Sequence, residues 1–299
     1  TSYFITVAVN IAIFALLALS LNIITGYAGQ AMMGHAAFFG VGAYTSAILT
    51  NAGINFWLSL PLAMLAAGLL GGLVGIASLR VRDDFLAITT IGINFVAVAL
   101  FNNMKIFGAS LGLGTKSPKL FGRAMGNLDY LVLLLILIVI TCLLIVKMRR
   151  AWFGLALASI QNDEGAAKSF GINVSQYKIL AFIIGTAIAG LTGGIYAHRM
   201  GFIFSSNFAF TVSITILSMV VIGGIGTIRG PLLGAVLLGS APELLRFADD
   251  YRMLIYGGLL VLVVRFQPQG LLGENSVLLR LWGKLRHGTS AQKKGAVKV

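Results

Sequence analysis

Four polar side chains stand within or next to long apolar runs, where a polar solute crossing a membrane would meet them. They are Asn22, Gln30, His35 and Asn94, and Ser213 or Thr215 adds a hydroxyl group. Neutral side chains of this kind either line a path for a solute or form hydrogen bonds between helices. None of the nine acidic residues lies in the middle of an apolar run, which disfavours a carrier driven by protons or sodium.

Enzymatic and metal chemistry finds little support in the residue types. The three histidines, His35, His198 and His287, are far apart, and the single cysteine, Cys142, lies inside an apolar run. There is no H-E-x-x-H motif and no cysteine pair to supply metal ligands. Residues 112–117 look superficially like a phosphate loop, but their spacing does not match G-x-x-x-x-G-K-[ST]. We therefore predict no catalytic residue, no metal ion and no cofactor on this chain.

One polar segment, residues 151–174, keeps small and apolar residues at helical spacing, among them Leu155, Ala158, Ala166 and Ala167. This pattern predicts a short helix between two apolar segments. The helix either lies on the membrane surface as an amphipathic element or docks a cytosolic partner. In the second case the small residues permit close approach, and Glu164 provides an ionic contact.

The composition determines where these residues must be placed. The 299 residues are 58% hydrophobic and only 10% charged, with mean hydropathy +0.94. An ordinary soluble domain is about 25% charged, so a soluble globule is excluded. Apolar segments recur at 3–24, 32–50, 57–79, 85–104, 128–148, 178–200, 208–228, 230–246 and 252–266. They predict an all-α, polytopic integral membrane protein with about eight to ten transmembrane or re-entrant helices.

Glycine is abundant, with 37 residues, and several pairs are spaced four apart, such as Gly68/Gly72 and Gly190/Gly194. Such pairs are either close-packing contacts or sliding surfaces between helices, and we favour packing. The glycine-rich stretch 26–42 predicts irregular backbone. Irregular backbone is tolerated at membrane depth only inside the protein, so this stretch should not face lipid.

The basic residues predict the orientation. The net charge of +13 and pI of about 10.2 would suggest nucleic acid in a soluble protein, but here the basic residues fall between apolar segments. Residues 147–178 carry five basic and two acidic residues, a net charge of +3. Residues 265–299 carry seven basic residues and one acidic residue, a net charge of +6. Both segments should be cytoplasmic. Counting the apolar segments between these loops places Arg80 and Arg82 on the cytoplasmic side as well. The same count places the basic loop 105–123 outside, which conflicts with the rule that cytoplasmic loops carry the excess of Lys and Arg.

Four motifs carry a resemblance. Residues 26–30 (GYAGQ) and 34–44 (GHAAFFGVGAY) resemble the N-terminal signature of the LivM-type membrane subunit of branched-chain amino-acid ABC importers. Three further stretches, residues 79–103, residues 152–197 and residues 222–227 with Gly230 and Gly234, are similar to the same family in the same order. Together they cover nearly the whole chain except the basic tail.

The resemblance implies a fold and a set of partners. The fold would be that of an ABC importer permease, with a transmembrane domain at 1–267, a cytoplasmic coupling loop at 149–177 and a basic cytoplasmic tail at 268–299. The chain would carry leucine, isoleucine or valine across the bacterial cytoplasmic (inner) membrane, with its C-terminus in the cytoplasm. Its partners would be a related, LivH-like permease, two cytosolic ATPases that bind ATP and Mg, and a periplasmic or lipid-anchored amino-acid-binding protein. Membrane lipids would surround it, and nucleic acid would have no role.

The resemblance also implies a docking role for one group of residues. The stretch that matches the ATPase-docking loop contains Gly154, Asp163, Glu164, Ala166, Ala167 and Gly171. The chain itself would have no enzymatic activity. Two alternatives stay open: a secondary transporter or channel acting alone, and an ABC permease for urea, amides or another amino acid.

Overall fold

The computed structural model describes residues 2–80, 83–120, 123–244 and residue 258. Within these residues the chain forms ten α-helices. They are α1 (Ser2–Asn22), α2 (His35–Asn51), α3 (Phe56–Ser78), α4 (Asp83–Asn103), α5 (Asn127–Arg150), α6 (Trp152–Asn162), α7 (Glu164–Ser169), α8 (Val174–Met200), α9 (Phe210–Gly223) and α10 (Arg229–Leu244). This is the all-α, polytopic architecture that the sequence predicts.

Six stretches of the described chain are long and apolar enough to cross a membrane: Tyr3–Tyr27, Phe56–Ser78, Phe85–Asn103, Asn127–Arg150, Val174–Met200 and Ser205–Gly223. Helices α2 and α10 are shorter, with 17 and 16 residues. These eight correspond to the first eight apolar segments of the sequence. The ninth segment, 252–266, and the basic tail 268–299 lie outside the described residues, as does the predicted boundary between residues 267 and 268.

Helix α8 is the centre of the bundle and packs against α2 and α3 through glycine. A side chain on Gly42 of α2 would meet the backbone of Gly190 on α8, and a side chain on Gly193 would meet the carbonyl of Phe39. On the α3 side, Gly71 lies against the Thr186 side chain. Without a hydrophobic force between helices in lipid, such close backbone approach supplies the packing energy. The glycine pairs are therefore close-packing contacts.

Helices α9 and α10, the last two among the described residues, form a hairpin of the same kind. A side chain on Gly234 of α10 would meet the Met219 carbonyl of α9, and one on Gly223 would meet the Gly230 carbonyl. Helix α10 also runs along α1, where Gly239 contacts Ile11. By contrast, α5 turns an outward face of Leu, Ile and Val away from the bundle, including Leu135, Val139 and Leu143. That face is suited to lipid.

The bundle has two ends, which are identified by the helix termini that meet there. Thr6 near the start of α1 accepts hydrogen bonds from Asn127 at the start of α5 and from Arg199 at the end of α8. At the opposite end, the turn Ile23–Tyr27 that follows α1 meets α6. Helix α3 is antiparallel to α8, because Gly194 lies near Leu60 and Gly75 lies near Ile179. Arg80 therefore shares an end with α6 and α7, as the parity of the basic loops predicts.

The end that lies away from α6 is capped by the described parts of two loops. The loop between α4 and α5 contains the two-residue strands β1 (Leu113–Gly114), β2 (Lys119–Leu120) and β3 (Arg123–Ala124), and the loop between α8 and α9 contains β4 (Phe202–Ile203). β1 pairs with β4 and β2 pairs with β3, both antiparallel. Asn51 and Thr115 fasten the first of these loops to the bundle: Asn51 donates to the Gly114 carbonyl, and Thr115 donates to the carbonyls of Ala197 and Gly201. The stretch 112–117 is thus an element of this cap.

Close packing at Gly42 generates a stability prediction. Gly42→Ala should lower the free energy of unfolding by about 1–3 kcal/mol, because the added methyl group overlaps the Gly190 backbone. The measurement is the thermal unfolding midpoint of the purified protein in detergent. Gly92→Ala is the matched control, since Gly92 also lies in a helix but has no atom within 4 Å of its Cβ position. Equal midpoints for the two variants would contradict the packing assignment.

Candidate functional site

The helical path of the chain breaks between α1 and α2, in the segment that the glycine-rich sequence predicts to be irregular. Residues Ile23–Tyr27 form a π-helical turn, and residues 28–34 are not helical. Gly29 has φ +65°, a left-handed conformation that favours glycine. The Gln30 N–H donates to the Ile24 carbonyl, but most backbone groups of the break need partners elsewhere. The segment 23–34, here called the break, is where the predicted polar residues meet.

Asn22 ties the start of the break to the turn between α9 and α10. Its side-chain Nδ2 donates to the Thr227 carbonyl at 2.8 Å, and its Oδ1 accepts from the Gly226 N–H at 2.9 Å. The Asn22 side chain is fully buried, so both ends of its amide are used inside the protein. Gly26, one turn later, lies directly against the Gly226 backbone.

Asn94 likewise links helices beyond the far end of the break, again through both ends of its side-chain amide. Its Nδ2 donates to the Phe208 carbonyl at 3.0 Å, and its Oδ1 accepts from the Ser213 hydroxyl at 2.9 Å. The Ser213 oxygen in turn accepts from the Ala36 N–H at 2.9 Å. This chain of bonds joins α4 and α9 to the first turn of α2, whose N–H groups have no partner within their own helix.

His35 and Gln30 complete the set. The Nε2 atom of His35 lies 2.7 Å from the Ser20 hydroxyl, and the ring is fully buried. Which of the two groups donates depends on the tautomer of the histidine. Gln30 is buried, and its Nε2 reaches the nearby Ala28 carbonyl at 3.5 Å. A side chain on Gly34, next to His35, would meet the Thr90 carbonyl.

The structure thus brings all four predicted pathway residues to the break or to its direct neighbours. Their bonds hold the fold together, and their place in a pathway stays a prediction. Sequence reasoning missed Ser20, Thr90 and Thr227, which bind the break or the residue on either side of it. Thr90 accepts from the Met33 N–H of the break at 3.0 Å, while Ser20 and Thr227 bind His35 and Asn22. The signal available for them was a hydroxyl side chain buried within or at the end of an apolar run. Thr215, by contrast, donates to the Thr211 carbonyl of its own helix.

The segment 151–174 forms two short helices, α6 and α7, rather than one. Gly154 lets α6 start close to the end of α5, because a side chain there would meet the backbone of Arg149 and the Met148 carbonyl. Ala167 of α7 is buried in a small cluster with Ile160 of α6 and Val174 of α8. The pair of helices is therefore a folded unit that is fixed to both α5 and α8.

Charged groups define the boundary between α6 and α7 and the contact with α8. Asp163 caps α7, since its Oδ1 accepts from the Ala166 N–H at 3.0 Å. Glu164 pairs with Lys178 at 2.7 Å and with Lys168 at 3.0 Å. The hydrogen bond from Lys178, helped by Lys168, holds the pKa of the Glu164 carboxyl below its ordinary value, although partial burial acts in the opposite direction.

Three large apolar side chains of this unit have no cover. Trp152 is 69% exposed, Leu155 is 58% exposed and Phe170 is 86% exposed. Gly171, with φ +78°, ends the turn after α7 and has open space at its Cβ position, and Ala166 is also exposed. We call Trp152, Leu155 and Phe170 the apolar patch. In a soluble environment a patch of this kind marks an interaction surface.

Within the described residues, no group of three His, Cys, Asp or Glu side chains could hold a metal ion. The geometry instead has two parts. Inside the bundle, polar side chains surround an irregular segment, and outside it two folded helices present an apolar patch. Irregular backbone at membrane depth beside polar residues is a feature of membrane transport proteins.

Comparison with known proteins identifies the family. The family described as branched-chain amino acid transport system, permease component, matches residues 3–264. The chain is 36% identical to the high-affinity branched-chain amino acid transport system permease protein LivM of Escherichia coli K12, over 93% of this chain and 72% of that protein. LivM of Salmonella typhimurium is also 36% identical, over 92% of this chain and 71% of that protein. LivH of Salmonella typhimurium is 24% identical, over 88% and 92% of the two chains. No solved structure is significantly similar.

The chain therefore belongs to the family of permease components of branched-chain amino-acid transport systems, and it is a multi-pass membrane protein. The resemblance carried by the four sequence motifs is confirmed. The fold class predicted from the apolar segments is confirmed with it.

The bonds of Asn22 generate a second prediction. Asn22→Leu should lower the free energy of unfolding by about 1–3 kcal/mol, because the Gly226 N–H and the Thr227 carbonyl lose their partner. Thermal unfolding in detergent measures the effect. Asn103→Leu is the control, since the Asn103 side chain is exposed and bonds only within its own helix. A variant at Asn22 that unfolds at the wild-type temperature would show that these bonds do not stabilise the fold.

The Glu164 ion pairs generate a pH prediction. Because the folded-state pKa of Glu164 is below its unfolded value, its pairs stabilise the α7–α8 contact above about pH 4.5. This contribution is lost as the pH falls through the lower, folded-state pKa. Glu164→Gln should therefore reduce stability at pH 7 by about 1 kcal/mol or less, since the partly exposed pair is screened by solvent.

The measurement is the thermal midpoint of wild type and Glu164→Gln at pH 7, 5 and 3. The gap between the two proteins should narrow as the pH falls, because protonation of the wild-type carboxyl removes its charge. A gap of constant size from pH 7 to pH 3 would show that the charge of Glu164 contributes nothing.

Proposed function

We propose that this chain is the permease subunit of an ATP-driven importer that moves leucine, isoleucine or valine across the bacterial cytoplasmic membrane. Family membership over most of the chain supports the transport role and the substrate class. The observation that carries the ATP-driven mechanism is the apolar patch on α6 and at the end of α7, because large exposed Trp, Leu and Phe side chains on a folded unit are suited to anchor a partner protein.

The end of the bundle that carries α6 and α7 faces the cytoplasm in this proposal. The net charge of +3 over residues 147–178 supports this orientation, as does the net charge of +6 over residues 265–299, which places the C-terminus on the same side. The β-strand cap at the opposite end then faces a delivery protein. That protein would be a periplasmic or lipid-anchored amino-acid-binding protein.

The six predicted coupling residues shape the docking unit in complementary ways. Gly154 sets the angle between α5 and α6, Asp163 starts α7, and Glu164 fixes α7 to α8. Ala167 packs against Ile160 and Val174 and so joins α7 to α6 and α8. Ala166 and Gly171 leave room for close approach at the surface. Each residue thereby positions the apolar patch against an ATPase.

The energy source lies on the partners in this proposal. Two cytosolic ATPases would bind ATP with Mg, and this chain would neither hydrolyse ATP nor hold a cofactor. A LivH-like permease would form the other half of the membrane complex, consistent with the detectable relation of this chain to LivH proteins. Amino acid would pass between the two permeases.

We also propose Asn22, Gln30, His35 and Asn94 as the residues that govern the path on this side of the complex. Their burial at the break supports the proposal, because the break is irregular and can change its bonds more easily than a regular helix. Selection among Leu, Ile and Val would be weak here, since one methylene group contributes only about 1–3 kcal/mol.

The apolar patch generates the functional prediction. A Trp152→Ser and Phe170→Ser double variant should lose the ATPase during co-purification in detergent, because the two side chains supply most of the exposed apolar surface of the patch. Leu111→Ser is the matched control. Leu111 is 82% exposed but lies at the opposite end of the bundle, so its replacement should leave the ATPase bound.

Two outcomes would contradict the proposal. Retention of the ATPase by the double variant would show that the patch rests on the membrane surface instead. Leucine transport by the purified chain alone in liposomes, without any ATPase, would show that the chain is an independent carrier or channel.

A further inference from the structure

The end of α6 is in direct contact with the break inside the bundle. Gln161, the last residue but one of α6, donates from its side-chain Nε2 to the Gly26 carbonyl at 3.1 Å. Its Cβ and Cγ atoms also lie against Gly29, where an added Cβ would be 3.6 Å and 3.2 Å from them. One side chain therefore touches the break at two points.

Among the polar side chains of α6, Gln161 differs from its neighbours. Ser159 donates to the Leu155 carbonyl and Asn162 donates to the Ala158 carbonyl, both within α6 itself. Gln161 instead reaches a residue 135 positions away in the chain. Its bond has no role in completing the helix, so its contribution is to the contact between α6 and the break.

The contact continues through the break to the far side of the bundle. Gly26 receives the Gln161 bond on its carbonyl, and the same residue lies against the Gly226 backbone. Asn22, one turn earlier, holds Gly226 and Thr227 through its amide. A displacement of α6 thus reaches the turn between α9 and α10 through a single turn of the break.

We propose that Gln161 is a positioning residue that makes the break move together with α6. This inference rests on the proposed function, in which an ATPase docks on α6 and α7. Movement of the docked unit would then shift the break, and with it the polar side chains that the break carries. Loss of the Gln161 bond would leave the ATPase attached while the break no longer follows it.

The first test replaces the amide without changing its size. Gln161→Glu keeps the shape of the side chain but removes the N–H that binds the Gly26 carbonyl. The complex is purified through a tag on this chain and reconstituted in liposomes, and labelled leucine taken up per ATP hydrolysed is measured. The ratio should fall about threefold to tenfold, the effect of losing one hydrogen bond. Asn162→Asp, the same chemical change one residue later, should leave the ratio unchanged.

The second test restores the link by a covalent bond. The 3.6 Å separation between the Gly29 Cβ position and the Gln161 Cβ lies within the range of a disulfide. A cysteine at Gly29 is strained because φ is +65° there, so Gly29→Cys alone is the control and should match the wild-type ratio. In a Cys142→Ala background, the Gly29→Cys and Gln161→Cys double variant should show coupled uptake when oxidised. It should show the reduced ratio of Gln161→Glu after treatment with dithiothreitol. Because it compares the oxidised and reduced forms of one protein, this test of the role of Gln161 remains possible if Gln161→Glu fails to assemble.

The results separate this inference from the proposed function. If the wild-type complex couples uptake to ATP hydrolysis but Gln161→Glu has the same ratio, the role of Gln161 is wrong while the importer stands. Blocked uptake in the oxidised double variant would mean that α6 and the break must separate during transport, which also overturns the role. If the wild-type complex takes up no leucine with ATP, the proposed function itself is wrong.

Discussion

The whole structure depends on one requirement: the backbone groups of the break, which no regular helix satisfies, must find hydrogen-bond partners elsewhere in the protein. A buried backbone group without a partner costs about 1–3 kcal/mol, so the break is stable only where other elements supply those partners. The side chains around it follow from this requirement. Thr90 binds the Met33 N–H, Ser213 binds the Ala36 N–H and Gln161 binds the Gly26 carbonyl. Polar residues from α4, α6 and α9 therefore converge on one short segment.

Glycine packing makes that convergence possible. Helix α2 follows the break and is clamped to α8 at Gly42 and Gly193, with almost no space between the backbones. This contact fixes the start of α2 and hence the far end of the break. The glycines and the buried amides thus act together, because close backbones exclude lipid and the amides satisfy the groups that lipid would leave unpaired.

Much of this fold follows from the sequence, and the limits have a physical cause. The lengths of the apolar runs predict the helices, and the glycines at 26–42 predict a break within the protein. The partners of the polar residues could not be predicted. Asn22 binds Thr227, 205 positions away, and a pattern within one segment carries no information about such a pairing. The sequence pattern also did not predict the division between α6 and α7, because that division depends on Asp163 capping a helix of six residues. The burial of Ala167 depends on Ile160 and Val174 from two other helices, which is a tertiary contact.

The nature of the buried polar groups constrains how energy reaches them. No carboxylate stands in the middle of an apolar run, so a proton or sodium gradient has no acidic group there on which to act. In the proposed importer, energy arrives as mechanical displacement from outside the bilayer, and α6 is the element that contacts the break. A single hydrogen bond of about 1 kcal/mol transmits only a severalfold bias between two conformations. The buried contacts of Ala156, Leu157 and Ile160 fix α6 to the bundle and carry the larger part of the force, while Gln161 directs it to the break.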